Sequence, residues 1–134
     1  DFTVEESCGK CTPCRIGNKR LLEMLNKITE GRGTMKDLDA LSTLGKVIKD
    51  TALCGLGQTS PNPVLSTLNN FYDEYVEHVR DKTCRAKQCK ALLTYTINPE
   101  LCIGCHLCFK HCPADAILGD VRKPHVINPD KCIK

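Results

Sequence analysis

The sequence has no tryptophan and only three tyrosines and three phenylalanines among its 134 residues. With so few large apolar side chains, a chain of this length buries a modest core and leans on other folding energy, such as metal sites. It has no signal-peptide pattern and no apolar run long enough to span a bilayer. No glycine-rich dinucleotide loop is present, because Gly55-Leu56-Gly57 is too short and lacks a preceding strand. No NAD or FMN site is therefore assigned within this chain. No nucleophile–base pair is placed for covalent catalysis, so no catalytic residue is assigned either. The formal net charge of +3 has no aromatic-interleaved basic stripe behind it, which argues against a nucleic-acid partner.

Cysteine is what the chain has in excess. It holds eleven, an odd number, mostly in C-x2-C-x2-C runs. That pattern is a set of metal ligands, not a disulfide framework, and it implies a reducing, cytoplasmic setting. Ligating cysteines are thiolates, and a loaded [4Fe–4S] site with four of them carries roughly −2, so the formal positive charge overstates the balance.

Cys8-Gly9-Lys10-Cys11-Thr12-Pro13-Cys14 organises the first part of the chain. One loop of this spacing wraps three corners of a cubane, and the next cysteine, Cys54, supplies the fourth. Structural zinc usually takes cysteines in two pairs, whereas the split here is three plus one. Thr12-Pro13 predicts an N-cap and first helical residue, with Leu21, Leu22, Leu25 and Ile28 recurring at helical spacing up to Gly31. The helix N-terminus then faces the cluster's negative charge. Thr34 to Asp37 predicts the start of a second helix with Leu38, Leu41, Leu44 and Ile48 on one stripe. Ser60-Pro61 predicts the start of a third, with Val64, Leu68, Phe71, Tyr75 and Val79 spaced for burial. Cys54 falls in the loop between them, where Gly55 and Gly57 permit close backbone approach. Lys10 and Arg15 flank the ligands, either to favour the extra electron or as a solvated surface.

Residues 80–97 form a basic connector containing Cys84 and Cys89. C-x4-C is too sparse for a cubane and fits a zinc half-site, with His78 or His125 as a further ligand. Such a clasp would set a pivot at the join; a pair of free or buried thiols is the alternative.

Residues 98–134 carry Cys102, Cys105, Cys108 and Cys112-Pro113 in the spacing C-x2-C-x2-C-x3-C-P. In this pattern the first three cysteines hold one cluster and the fourth crosses to another. Asn128-Pro129-Asp130-Lys131-Cys132 nearly repeats Asn98-Pro99-Glu100-Leu101-Cys102, thirty residues on. Cys112 and Cys132 thus point to a second cluster, incomplete in this sequence, and the first lacks its fourth ligand. Leu93–Ile97, Ala116–Leu118 and His125–Ile127 predict short strands. His106 and His111 read as surface residues. The expected fold class is α+β: a helical cluster-binding bundle at 1–79, the connector at 80–97, and a truncated two-cluster ferredoxin-like domain at 98–134.

Ser7-Cys8-Gly9-Lys10-Cys11-Thr12-Pro13-Cys14-Arg15 together with Cys54-Gly55-Leu56-Gly57-Gln58 resembles the cluster-binding C-terminal domain of the NADH-binding flavoprotein subunit of respiratory complex I. The same domain occurs in NAD(P)-linked hydrogenases and formate dehydrogenases. From Cys102 on, the chain resembles a bacterial two-cluster ferredoxin. The two in this order resemble the beta subunit of electron-bifurcating or NADP-reducing [FeFe] hydrogenases. That resemblance implies FMN and NAD(P) in a part of the subunit outside this chain. It also implies a catalytic [FeFe]-hydrogenase subunit, a thioredoxin-like [2Fe–2S] subunit and an external ferredoxin as partners. The expected function is an electron relay within an NAD(P)-linked oxidoreductase, with no membrane or nucleic-acid partner. The alternatives are the same module in a formate dehydrogenase or complex I-like enzyme, or a zinc-bound structural module without a redox role. The chain is expected to be a fragment, or the ordered part, of a longer subunit.

Overall fold

Leu21 and Ile28 are seven residues apart, so both face the same side of a helix and both are almost fully buried. In the computed structural model, which describes residues 1–133, they lie on helix α2 (Asn18–Thr29). Lys134, two residues beyond Cys132, lies outside the described residues. A short α1 (Phe2–Glu5) precedes the cysteine loop. A single wide π-helical turn, Pro13–Gly17, leads directly into α2. Thr12 is already helical, at φ −58° and ψ −43°, and makes no side-chain cap, so the predicted cap is replaced by this π turn. Such turns are rare and recur beside functional sites.

The chain divides into two units, Asp1–Leu92 and Leu93 onward. In the first, α2 packs on α3 (Met35–Thr51) through Leu38, Leu41 and Ile48. Thr34 opens α3: its backbone N–H and its hydroxyl both donate to Asp37, each at 2.7 Å. Lys27 of α2 reaches the same carboxylate at 2.8 and 2.9 Å. The Lys27 bond, followed by those from Thr34, holds Asp37 down at a pKa of about 2. Asp37 is thus charged at neutral pH, at the helix N-terminus where charge of that sign is favoured.

The predicted third helix is two. After the short α4 (Gly55–Thr59), α5 (Asn62–Asn70) ends at Phe71, and α6 (Tyr72–Val76) runs into a π turn over Glu77–Asp81. Phe71 leaves helical geometry at φ −129° and ψ 35°. The break rotates the apolar stripe, so Leu68 and Val79 stay in the core while Phe71 is 55% exposed. Phe71 instead lines a shallow groove with Leu25, Ile28, Tyr75 and His78.

Residues 80–92 fold back within the first unit, onto the turn at Gly31 and Gly33. Lys82 ends the helix in the left-handed region and donates through Nζ to the Gly33 carbonyl at 2.9 Å. Leu92 is buried and lies where a side chain on Gly31 would stand. A 3-10 turn spans Lys90–Leu92.

In the second unit, α7 (Leu107–His111) leads to an antiparallel hairpin of β1 (Ile117–Leu118) and β2 (Val126–Ile127). Ile117 pairs with Ile127 and Leu118 with Val126. Leu93–Ile97 forms no strand among the described residues, because nothing there supplies it with a ladder partner. Among the described residues no helix is long and apolar enough to cross a membrane.

Candidate metal centre

The Cys8–Cys14 loop and the turn carrying Cys54 are fastened together at two points. First, the Leu53 N–H, one residue before Cys54, acts on the Cys11 sulfur. With the Cys14 N–H it holds the Cys11 thiol below its ordinary pKa. Second, Gly57 in the first turns of α4 presses on Cys14. A Cβ there would lie 2.6 Å from the Ala52 Cβ and 3.2 Å from the Cys14 Cβ. Only a residue without a side chain lets the α4 backbone sit this close. Cys54 itself is the extended residue that opens α4, at φ −133°.

Cys14 is buried, whereas Cys8 and Cys54 are exposed and Cys11 is half-buried. The Cys14 Sγ accepts from Asn18 Nδ2 at 3.4 Å and lies 3.4 Å from the Ser7 hydroxyl. Donors aimed at sulfur stabilise a thiolate and would share its charge with a bound cluster. Four cysteines, one buried and three toward the surface, fit a [4Fe–4S] group by donor chemistry and by the cradle at Gly57. Lys10 and Arg15 are both exposed. Sequence reasoning singled out the cysteines and glycines but not Asn18, because a single polar residue on a helix carries no periodic signal.

The second unit repeats one turn at both of its Asn-Pro stretches. The Cys102 N–H donates to the Asn98 carbonyl at 3.0 Å, and the Cys132 N–H to the Asn128 carbonyl at 3.2 Å. The Glu100 N–H meets the Asn98 side chain at 2.9 Å, and the Asp130 N–H meets that of Asn128 at 3.0 Å. The sequence repeat is therefore a repeat of local structure. The Cys102 Sγ accepts the His125 N–H at 3.4 Å, and the Cys112 Sγ accepts the Ala116 N–H at 3.4 Å. Cys105 and Cys108 are exposed.

The two histidines considered for zinc go to different places. His125 is buried beside Cys102, with its Nε2 2.8 Å from the His106 Nδ1. His106 is no bare surface residue: it stacks on Phe109 with ring centroids 4.4 Å apart, while His111 is exposed. His78 joins Cys84 and Cys89, with one ligand atom from each lying within 4.8 Å of the others. The His78 Nδ1 is 2.7 Å from the Glu74 carbonyl. A carbonyl only accepts, so Nδ1 carries the proton and Nε2 turns its lone pair toward the Cys89 Sγ, 3.4 Å away. The Cys89 N–H holds the Cys84 thiol down at a pKa of about 6, helped against burial by the Gln88 N–H and the Cys89 side chain. Burial, then the bond from Cys84 and its charge, pushes the Cys89 thiol up.

Residues 1–78 match the family described as NADH-ubiquinone oxidoreductase-F iron–sulfur binding region, and residues 95–118 match the 4Fe-4S binding domain family. Over 93% of its length the chain is 61% identical to the NADP-reducing hydrogenase subunit HndC of Solidesulfovibrio fructosivorans, covering 26% of that protein. Over 63% of its length it is 42% identical to an NADH-quinone oxidoreductase subunit of Streptomyces coelicolor, covering 19%. Over 55% of its length it is 46% identical to the alpha subunit of the NAD-reducing hydrogenase HoxS of Cupriavidus necator, covering 12%. The chain thus spans about a quarter or less of the length of these relatives. With residues 1–78 matched, more than half its length, and a 4Fe-4S binding domain match following, the chain belongs to the NADH-ubiquinone oxidoreductase-F iron–sulfur binding region family.

Proposed function

We propose that this chain is the iron–sulfur relay of an NAD(P)-linked hydrogenase subunit of the electron-bifurcating or NADP-reducing [FeFe] type. A [4Fe–4S] cluster, when bound, takes and releases one electron at a time. Cys8, Cys11, Cys14 and Cys54 would hold one cluster on the flavin and NAD(P) side. Cys102, Cys105 and Cys108 would hold a second. Cys112 and Cys132 would contribute to a third in a two-cluster ferredoxin arrangement, with the remaining ligands outside this chain. The observation that carries this reading is one chain bearing both cluster-binding families, with 61% identity to the HndC subunit across them. Catalytic hydrogenase, thioredoxin-like and ferredoxin partners belong to the same proposal.

The test is made anaerobically on the full-length subunit with its flavin. NADH or NADPH is added, cluster reduction is followed by low-temperature EPR, and reduction of added ferredoxin is followed optically. Cys102→Ser is expected to leave reduction of the helical unit's cluster intact and to slow ferredoxin reduction on the order of tenfold or more. Unchanged ferredoxin reduction in a variant that has lost the second cluster would overturn the relay order.

A second site is proposed at His78, Cys84 and Cys89. The motivation is their close approach with an imidazole lone pair facing a thiol, which suits zinc with a fourth position left for water or another donor. This site would tie the 80–92 segment to the π turn that follows α6. The double change Cys84→Ser, Cys89→Ser is expected to remove about one zinc per chain while iron and sulfide hold. Equal zinc in variant and wild type would rule the site out.

A further inference from the structure

Asn18 is a buried polar side chain in a helix otherwise packed by leucines and isoleucine, at 3% exposure. Burying an amide is costly unless it is hydrogen-bonded, and this one is bonded at both ends. Its Nδ2 donates to the Cys14 Sγ at 3.4 Å. Its Oδ1 accepts the Ser60 hydroxyl at 2.8 Å. A thiolate can only accept, so the NH2 end must face Cys14 and the carbonyl end Ser60. The Ser60 hydroxyl also reaches the Gly57 carbonyl at 2.9 Å, and Gly57 packs directly on Cys14. Ser60 lies 42 residues from Asn18 in sequence, at the corner between α4 and α5. One asparagine thus links the buried cysteine of the loop to the corner that follows Cys54.

We infer that Asn18, held in orientation by Ser60, is a positioning residue for the helical unit's cluster and raises its reduction potential by donating to the Cys14 sulfur. The inference rests on the reading that Cys8, Cys11, Cys14 and Cys54 hold a [4Fe–4S] group. The reduced cluster carries one more negative charge than the oxidised one. A donor to a ligand sulfur therefore stabilises the reduced form more, and favours electron uptake. No proton is exchanged: the amide stays neutral in both states. Ser60 acts through the amide, since without its hydroxyl the Asn18 carbonyl loses its partner and the NH2 end loses its fixed aim. The pair does for Cys14 what the His125 backbone N–H does for Cys102, but with a side chain anchored 42 residues away.

The experiment uses the full-length subunit, prepared anaerobically, with an EPR-monitored redox titration and counts of iron and acid-labile sulfide. The signal followed is the one lost in Cys14→Ser. Asn18→Leu keeps the branched four-atom shape of the side chain and removes the donor. It is expected to leave the iron and sulfide counts unchanged and to shift the oxidised-to-reduced ratio at a fixed poise by on the order of tenfold toward oxidised, about 59 mV for a one-electron couple. Ser60→Ala is expected to shift it the same way by less. Should Asn18→Leu fail to assemble, Ser60→Ala decides. An unchanged potential with the cluster intact overturns the inference. Absence of any cluster signal tied to Cys14 in the wild type overturns instead the reading on which it rests.

Discussion

Cys54→Ser in the full-length subunit is expected to remove the helical unit's cluster, with loss of about four iron and four sulfide per chain and of one EPR signal on reduction. Cys54 is the proposed ligand from outside the Cys8–Cys14 loop, and its position depends on tertiary structure. It opens α4, it follows Leu53, whose N–H reaches Cys11, and its helix presses Gly57 against Cys14. A serine keeps that geometry. Its hydroxyl, however, is a hard and weakly acidic donor where iron–sulfur corners take thiolate. Loss of the fourth corner would open the cluster on a solvent-accessible side, since Cys54, like Cys8, is exposed whereas Cys14 is buried. The clusters of the second unit are expected to stay, which gives an internal reference in the same sample. Full retention of iron and of every EPR signal would mean that Cys54 is no ligand.

The cysteine runs stand out in the sequence because cluster ligation, the role proposed for them, constrains spacing. Two residues between cysteines let one loop wrap three corners of a cubane, and no core or turn requirement produces the same pattern. The stripes of α2 and α3 were legible for a similar reason, since burial on one helix face imposes its own period. Where the structure departs from the pattern, the deciding interaction is local and aperiodic. Phe71 sits in phase with Leu68 and Tyr75 in the sequence, yet the backbone turns out of the helix at that residue and carries the ring outward. Thr12 is a good cap by type, but a π turn at Pro13–Gly17 draws it into the helix. Leu93–Ile97 has strand composition without a partner strand. His125 has the residue type of a metal ligand, and burial beside Cys102 and His106 gives it a different neighbourhood. Asn18 left no trace in the pattern, because its partners are a cysteine one turn before it and a serine 42 residues after it.

Gly104→Ala is expected to disrupt the second unit as strongly as loss of a ligand. Gly104 has φ +68°, a conformation that costs a residue with a side chain about 1–3 kcal/mol. Its surroundings add to that cost. A Cβ would lie 2.5 Å from the Lys123 backbone nitrogen and 2.7 Å from the Arg122 Cα and carbonyl carbon. These are main-chain atoms that no rotamer change can move. They are held in place because the Arg122 N–H donates to the Gly104 carbonyl at 2.9 Å. That contact fixes the loop between Cys102 and Cys105 against the segment leading to His125, whose N–H serves the Cys102 sulfur. Pushing the two stretches of chain apart therefore moves a ligand-bearing loop, and overpacking of this kind adds about 1–3 kcal/mol more. The expected result is a protein that keeps the helical unit's iron and EPR signal but loses those of the second unit. Gly55→Ala is the matched comparison, because a Cβ there meets nothing within 4 Å and the residue lies in the first turn of α4. It should bind iron as the wild type does. If both alanine variants load every cluster equally, then close backbone approach at Gly104 does not support the Cys102–Cys105 loop, and the turn owes its shape to the cluster alone.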